Sequence, residues 1–197
     1  MAEKKRLIVG ISGASGAGYG ITLLKILNKI PDIEVHLVIS KIAVLTIKHE
    51  SGFSLKDIEA MAQVVYHPDN VGAAIASGSF RTLGMIIAPC SIRTLSSIST
   101  CASDTLMARA ADVCLKERRT LILMVRETPF HLGHLRLMVN VAEMGGIIMP
   151  PVPALYTNPK TIEDMMNDTI TRALDKFDIT SPTVKRWGEH IGLGMSL

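Results

Sequence analysis

Cysteine is scarce in this chain. Cys90, Cys101 and Cys114 are odd in number and no two of them stand in a CxxC spacing. They supply neither a disulfide framework nor a zinc site and read as reduced thiols. Aromatic side chains make up only 4% of the 197 residues, so the core has to be built from Ile, Leu, Val, Ala and Met. An excess of one charge is missing as well: 21 basic residues against 18 acidic leave a net charge of +3. No basic run carries the interleaved aromatics of a nucleic-acid surface, and the densest cluster, Lys116-Glu117-Arg118-Arg119, reads by itself as a solvated helix end. No stretch approaches the ~18–20 apolar residues that span a bilayer. The apolar run behind Met1-Ala2-Glu3-Lys4-Lys5-Arg6 has five residues, too few for a signal-peptide core. A cytoplasmic protein is expected, with neither nucleic acid nor membrane as partner.

What the chain does have is aliphatic bulk. Hydrophobic residues reach 48% and charged residues 20%, the balance of a globular protein long enough for one sizeable α/β domain. The mean hydropathy is slightly positive, which points to apolar surface buried between subunits. Short β-branched runs at 7–11, 35–39, 82–88, 120–125 and 146–149 read as strands, with Pro89 closing the third and Pro150-Pro151-Val152-Pro153 the last. Helical stripes of apolar residues occupy 21–30, 41–49, 105–117, 131–144 and 161–176, the last with Thr161 as its cap and Asp164 in its first turn. Strand and helix alternate, so the expected fold is α/β, a three-layer Rossmann-like (flavodoxin-like) parallel sheet with helices on both faces. Residues 1–178 are expected to form one domain, and 179–197 an irregular arm packed on a neighbouring subunit.

The first strand runs into Gly10-Ile11-Ser12-Gly13-Ala14-Ser15-Gly16-Ala17-Gly18-Tyr19-Gly20. Such a turn lies at the carboxyl edge of an open α/β sheet, where exposed N–H groups receive anions or polar ring oxygens. The dinucleotide fingerprint GxGxxG is not met, because Ile21 stands where the third glycine belongs, and no lysine follows to make a GxxxxGK[ST] loop. Ser15 is the one side chain of the turn with chemistry to offer, and without a basic neighbour it reads as a helix cap.

Two later strands end in polar turns. Pro89-Cys90-Ser91-Ile92-Arg93-Thr94-Leu95 places two hydroxyls and an arginine where a phosphate would sit. Arg126-Glu127-Thr128-Pro129-Phe130 places an adjacent Arg-Glu at a strand end. Cys90 is expected to be a buried small residue rather than a nucleophile. His131 and His134 share a helix face but lack the further ligands of a metal site, so no metal is expected.

Taken together, these segments resemble the UbiX-type flavin prenyltransferases. The resemblance covers nearly the whole chain and is carried by Gly13-Ala14-Ser15-Gly16, Ile39-Ser40-Lys41, Glu50, Ala76-Ser77-Gly78-Ser79, Pro89-Cys90-Ser91 with Thr94-Leu95, and Ala110-Ala111-Asp112-Val113 leading into Leu115-Lys116-Glu117-Arg118-Arg119. It continues through Arg126-Glu127-Thr128-Pro129-Phe130, the Pro150 region, Tyr156, Ile162-Glu163-Asp164, Arg172 and Arg186-Trp187-Gly188-Glu189. It implies FMN held between the subunits of a homo-oligomer, a dodecamer in the family. FMN contacts would come from Gly13, Ala14, Ser15, Ser40, Ser91, Ile92, Arg93, Thr94 and Arg126. The phosphate of dimethylallyl monophosphate would be held by Lys116, Arg126, Glu127, Tyr156 and Arg172, with Trp187 closing the pocket. Ser15, Glu50, Lys116 and Glu127 would act in catalysis. The dimethylallyl group would be joined to N5 and C6 of reduced FMN, and the prenylated FMN passed to a UbiD-type decarboxylase.

That chemistry is consistent with the residue types. Positioned cations stabilise the charge that builds on a departing phosphate, most of all where water is excluded. An allylic cation gains from an electron-rich ring face. Glu50, the leaving phosphate and Ser15 as a relay are all candidates for the proton lost at C6. Members of the family often carry an aromatic residue shortly before the Ala-Ser-Gly-Ser segment; Asp69-Asn70-Val71-Gly72 has none, which leaves the flavin itself to stabilise the cation. Arg93 stands at a position that varies in the family. Two rival readings remain: a flavin-dependent cysteine-type decarboxylase, which shares the fold but in which Pro-Ala-Ser-Ala-Asn-Thr would replace residues 89–94, and, of a different class, a non-catalytic FMN-binding accessory subunit of an aromatic-acid decarboxylase.

Overall fold

The computed structural model describes residues 4–180 together with 187, 188 and 192. Six strands alternate with helices: β1 (Lys5–Ile11), α1 (Ala17–Leu27), β2 (Ile33–Ile39), α2 (Lys41–Glu50), α3 (Leu55–Glu59), β3 (Val64–Tyr66), β4 (Gly84–Cys90), α4 (Ile92–Ser99), α5 (Leu106–Lys116), β5 (Thr120–Val125), α6 (Leu132–Glu143), β6 (Ile147–Ile148) and α7 (Ile162–Leu174). Short 3₁₀ turns occupy Ala74–Ala76, Leu155–Thr157 and Asp175–Phe177. All strands are parallel, in the order β3-β2-β1-β4-β5-β6. That is the order of a Rossmann sheet; without the three-residue edge strand β3 it is the flavodoxin order. The expected α/β class and layering are what the chain adopts.

The strands are apolar on both faces because both faces are covered. Leu7, Val9 and Ile11 of β1 point into one core cluster with Leu23, Leu24 and Leu27 of α1 and Ile170 and Leu174 of α7. Ile8 points the other way, into a second cluster with Leu95 and Ile98 of α4 and Leu106, Met107, Ala110 and Cys114 of α5. Met85 and Ile87 against Ile86 and Ala88 in β4, and Leu121 and Leu123 against Ile122 and Met124 in β5, divide in the same alternating way.

Several elements depart from the sequence reading. β4 does not stop before Pro89 but runs through it to Cys90. The ladder to β5 shifts register between Ile87 and Cys90, so a residue without an N–H fits there. α1 occupies Ala17–Leu27 rather than 21–30, because its glycine-rich start is helical by tertiary packing. A Cβ on Gly20 would collide with the Ala88 carbonyl oxygen, so glycine here lets the helix lie directly on β4. α4, and the short α3 and β3, were not anticipated. Most of the anticipated 179–197 arm lies outside the described residues.

Candidate functional site

Three turns at the carboxyl ends of β1, β2 and β4 meet at the point where the strand order reverses between β1 and β4, the place where open α/β sheets bind ligands. Each leads into a helix. Ser40 caps α2, its hydroxyl accepting from Ala43 N at 3.2 Å. Ser91 caps α4, accepting from Thr94 N at 3.3 Å and donating to Thr94 Oγ1 at 3.1 Å. Ser12, fully buried, joins the first turn to the third: its hydroxyl donates to the Pro89 carbonyl at 2.9 Å and accepts from Ser91 N at 2.7 Å. The sequence reading credited Ser15 alone in that turn and missed Ser12; a hydroxyl between apolar Ile11 and Gly13 was its only local signal.

A cavity of about 320 Å³ opens between these turns, lined by Gly13, Ser40, Lys41, Ile42, Pro68, Asp69, Ser91, Arg93, Thr94, Ser97, Asp104, Thr105, Met107 and Ala108. Gly13, Ser40, Ser91, Arg93 and Thr94, all expected at one site, are thus brought together. Lys41, Asp69, Asp104 and the start of α5 were not foreseen there. Lys41 Nζ and Asp69 Oδ2 pair at 2.5 Å at its edge. Ile92 turns its side chain toward the second core cluster.

The start of α1 is capped from another helix. Oε2 of Glu50, the last residue of α2, accepts from Gly16 N at 2.8 Å and Ala17 N at 3.1 Å; Ser15 is therefore not the cap. Burial works against the Glu50 charge, but the Ser15 hydrogen bond, the Gly16 and Ala17 N–H groups and the Arg126 charge outweigh it and hold the carboxyl below the usual range. Arg126 is anchored through its N–H, which donates to Cys90 O at 3.0 Å. Glu127 folds onto its own loop, accepting from Thr128 N at 2.9 Å. Ser15, Glu50 and Arg126 form one group beside the cavity. Cys90 is buried and its thiol is pushed far up by desolvation, as expected of an inert residue.

The remaining expected residues lie elsewhere in the subunit. Lys116 ends α5 on the amino side of the sheet, while Arg126 follows β5 on the carboxyl side. The six residues of β5 put roughly 20 Å between them at ~3.3 Å per residue. Arg172 is exposed in the last turn of α7, which starts near Gly18, where Met166 lies, and leads to Phe177 against Gly84 at the amino end of β4. One subunit therefore does not gather Lys116, Arg126 and Arg172. Trp187 stands edge-on to Tyr156, ring centroids 5.4 Å apart; Arg186 and Glu189 lie outside the described residues. His131 caps α6 through Nδ1, accepting from Gly133 N at 3.0 Å, and packs against His134 with the ring planes tilted by 35°. Among the described residues no three His, Cys, Asp or Glu side chains gather as metal ligands.

A parallel sheet with three capped turns around one cavity at the strand-order switch defines a mononucleotide-binding α/β protein. The sequence pattern of the flavoprotein family matches residues 1–175. The chain is 57% identical over 178 residues to a flavin prenyltransferase UbiX of Escherichia coli strain K12, covering 90% of this chain and 94% of that protein. Among solved structures it is similar to AnUbiX (PadA1) in complex with FMN and dimethylallyl pyrophosphate, with a TM-score of 0.91, 43% identity and coverage of 93% and 97%. It is also similar to a dodecameric FMN-dependent UbiX-like decarboxylase from E. coli O157:H7, with a TM-score of 0.90, 44% identity and coverage of 92% and 98%. The chain belongs to the flavoprotein family, in its UbiX flavin prenyltransferase group.

Proposed function

We propose that this chain is a flavin prenyltransferase that joins the dimethylallyl group of dimethylallyl phosphate to N5 and C6 of reduced FMN. The observation that carries the reading is the cavity at the switch point, with Gly13, Ser40, Ser91, Arg93 and Thr94 on its wall and the Ser15–Glu50–Arg126 group beside it. The donor set suits FMN. The capped turns present hydroxyls, helix N-termini and a guanidinium to a phosphate and its polar chain, and the volume lies within the range of ligand sites. When bound, reduced FMN supplies the electron-rich N5 and C6 that accept the prenyl carbons.

The protein's own part is electrostatic. Arg126, joined by Lys116, Tyr156 and Arg172, draws off the phosphate as the allylic C–O bond breaks. Glu127 orients those cations. The Glu50 carboxylate, ionised at neutral pH and adjoining Ser15, accepts a proton and, being a weak base, passes it on readily.

Because Lys116 and Arg172 stand apart from Arg126 within one subunit, a neighbouring subunit completes the phosphate site in this reading. Exposed apolar side chains support such packing: Leu132, Leu135 and Val139 of α6 are 60%, 45% and 53% exposed, and Val152, Leu155 and Ile162 more so. We assign residues 1–178 to the flavin-binding domain and 179–197 to an arm that brings Trp187 over Tyr156 at a subunit junction, within a dodecamer. The product serves a UbiD-type decarboxylase, and the site of action is the cytoplasm; among the described residues no helix is long and apolar enough to cross a membrane.

The test is anaerobic incubation of pure protein with reduced FMN and dimethylallyl phosphate, followed by mass spectrometry of the released flavin. A flavin heavier by one prenyl unit, with an altered spectrum, is the expected result. Unmodified flavin would identify an FMN-binding accessory subunit instead.

A further inference from the structure

Lys116 is not a free ammonium. Its Nζ donates to Glu117 Oε1 at 2.6 Å, and the hydrogen bond and charge of Lys116 hold the Glu117 carboxyl below its ordinary range. Both side chains lie on the bare Cα of Gly78: a Cβ there would strike Glu117 Oε1 and come within 2.7 Å of Lys116 Nζ. The platform under the pair is itself fastened. Arg119 Nη2 donates to the Gly78 carbonyl at 2.5 Å and Nη1 to the Phe80 carbonyl at 2.8 Å, and the Arg6 guanidinium sits 4.8 Å over the Phe80 ring. An exposed lysine with a flexible four-carbon stem ordinarily samples many rotamers and loses them when a ligand captures it. Here a carboxylate from the adjacent residue holds the ammonium over the Gly78 backbone while both side chains stay part-exposed.

We propose that Glu117, seated on Gly78, is a positioning residue for the prenyl donor: it holds the Lys116 ammonium ready for the donor's phosphate at the subunit junction. A side chain at residue 78 would push the ends of Lys116 and Glu117 aside, and Arg119 keeps that floor at its height. Glu117 need not touch the substrate; it acts through Lys116. The inference rests on Lys116 as a phosphate ligand, the reading given above.

The experiment is steady-state prenylation of reduced FMN by the full-length protein at varied dimethylallyl monophosphate. It compares wild type, Lys116→Ala, Glu117→Ala, Glu117→Gln, Gly78→Ala and the Lys116→Ala/Glu117→Ala double variant, with FMN affinity measured for each. Glu117→Ala is expected to raise KM for the donor about tenfold and to lower kcat by no more than Lys116→Ala does, since Lys116 also stabilises the departing phosphate. Gly78→Ala, which displaces only the ends of the two side chains, should raise KM less. FMN affinity should not move. Gln keeps an acceptor oxygen for Nζ, so Glu117→Gln should restore most of the loss. In the Lys116→Ala background, Glu117→Ala should add nothing, since the two act as one unit. If Lys116→Ala leaves the donor KM unchanged, the phosphate role of Lys116 falls and this inference with it. If Lys116→Ala raises KM but Glu117→Ala does not, or if the two losses multiply, only the positioning role is overturned. Weakened FMN binding in Glu117→Ala would mark a structural role and overturn it equally.

Discussion

Glu50 closes the amino terminus of α1 by accepting the Gly16 N–H at 2.8 Å, although the two residues are 34 positions apart. A carboxylate at a helix start satisfies otherwise orphaned N–H groups and meets the positive end of the helix dipole. The same carboxylate adjoins Ser15 and Arg126, so one group both shapes the first glycine-rich turn and holds charge beside it.

Replacing Glu50 by Gln should therefore show in two measurements. Loss of the charged cap is expected to cost about 1 kcal/mol of stability, read as a lowered Tm, with the fold retained. Ring closure should slow, read as delayed appearance of the prenylated flavin spectrum. Because the folded carboxyl has a lowered pKa, its contribution is complete above the unfolded value of about 4.3 and disappears as pH falls through the folded value. Wild type and Glu50→Gln should thus converge in Tm under strongly acid conditions. Full-rate product formation by the variant would remove Glu50 from the proton path.

Ser12 ties the first and third turns through Pro89 O and Ser91 N. Ser12→Ala leaves the part-buried Ser91 N–H and the Pro89 carbonyl without their partner. It is expected to destabilise the protein by about 1 kcal/mol and to weaken FMN binding by loosening the Ser91 cap. Chemical denaturation and flavin fluorescence titration give the two numbers; unchanged flavin affinity would separate the bridge from the site.

His36 is buried among Tyr66, Glu34 and Phe80, with Nδ1 2.9 Å from the Tyr66 hydroxyl and Nε2 2.7 Å from Glu34 Oε1, which also pairs with Arg6. Burial lowers its pKa, and the Glu34 carboxylate only partly restores it. The unfolded chain therefore takes up the proton first, so stability should decline as pH drops below about 6.5 and level off below the folded pKa. Tm measured between about pH 7.5 and about pH 5.5 should fall in the wild type and fall less in His36→Gln. Equal slopes in the two proteins would exclude His36 as the source.

Leu132, Leu135 and Val139 form an exposed apolar stripe at helical spacing along α6. Paired substitutions Leu132→Lys and Leu135→Lys should leave the subunit folded, because neither side chain belongs to a core cluster, but should lower the assembly mass in light scattering. Prenyl transfer should fall with it if the phosphate site spans subunits. A full-size assembly would place the interface elsewhere.

Much of this was present in local sequence. The β-branched runs of β1, β2 and β5 are buried on both faces and need no partner information to be recognised. Thr161 caps its helix as its position implies, in a capping box with Asp164, whereas Thr105, inside the expected 105–117 stripe, proves to be the cap of α5. These are signals between residues one to four apart, written in the chain itself. The ordered motifs from Gly13 to Trp187 likewise carried the family.

Contacts between distant segments had no such signature. The start of α1 at Ala17 depended on Glu50 and on the fit of Gly20 against Ala88; the hydroxyl bridge of Ser12 spans 79 positions. Pro89 stays inside β4 only because the neighbouring ladder slips beside it. Lys116 and Arg126 are near neighbours in sequence, yet the strand between them is extended and carries them to opposite edges of the sheet. Sequence determined which residue types the chain brings to the chemistry, because motif and periodicity are local. The tertiary structure decided which of them share a cavity, because an extended strand separates neighbours while packing joins strangers.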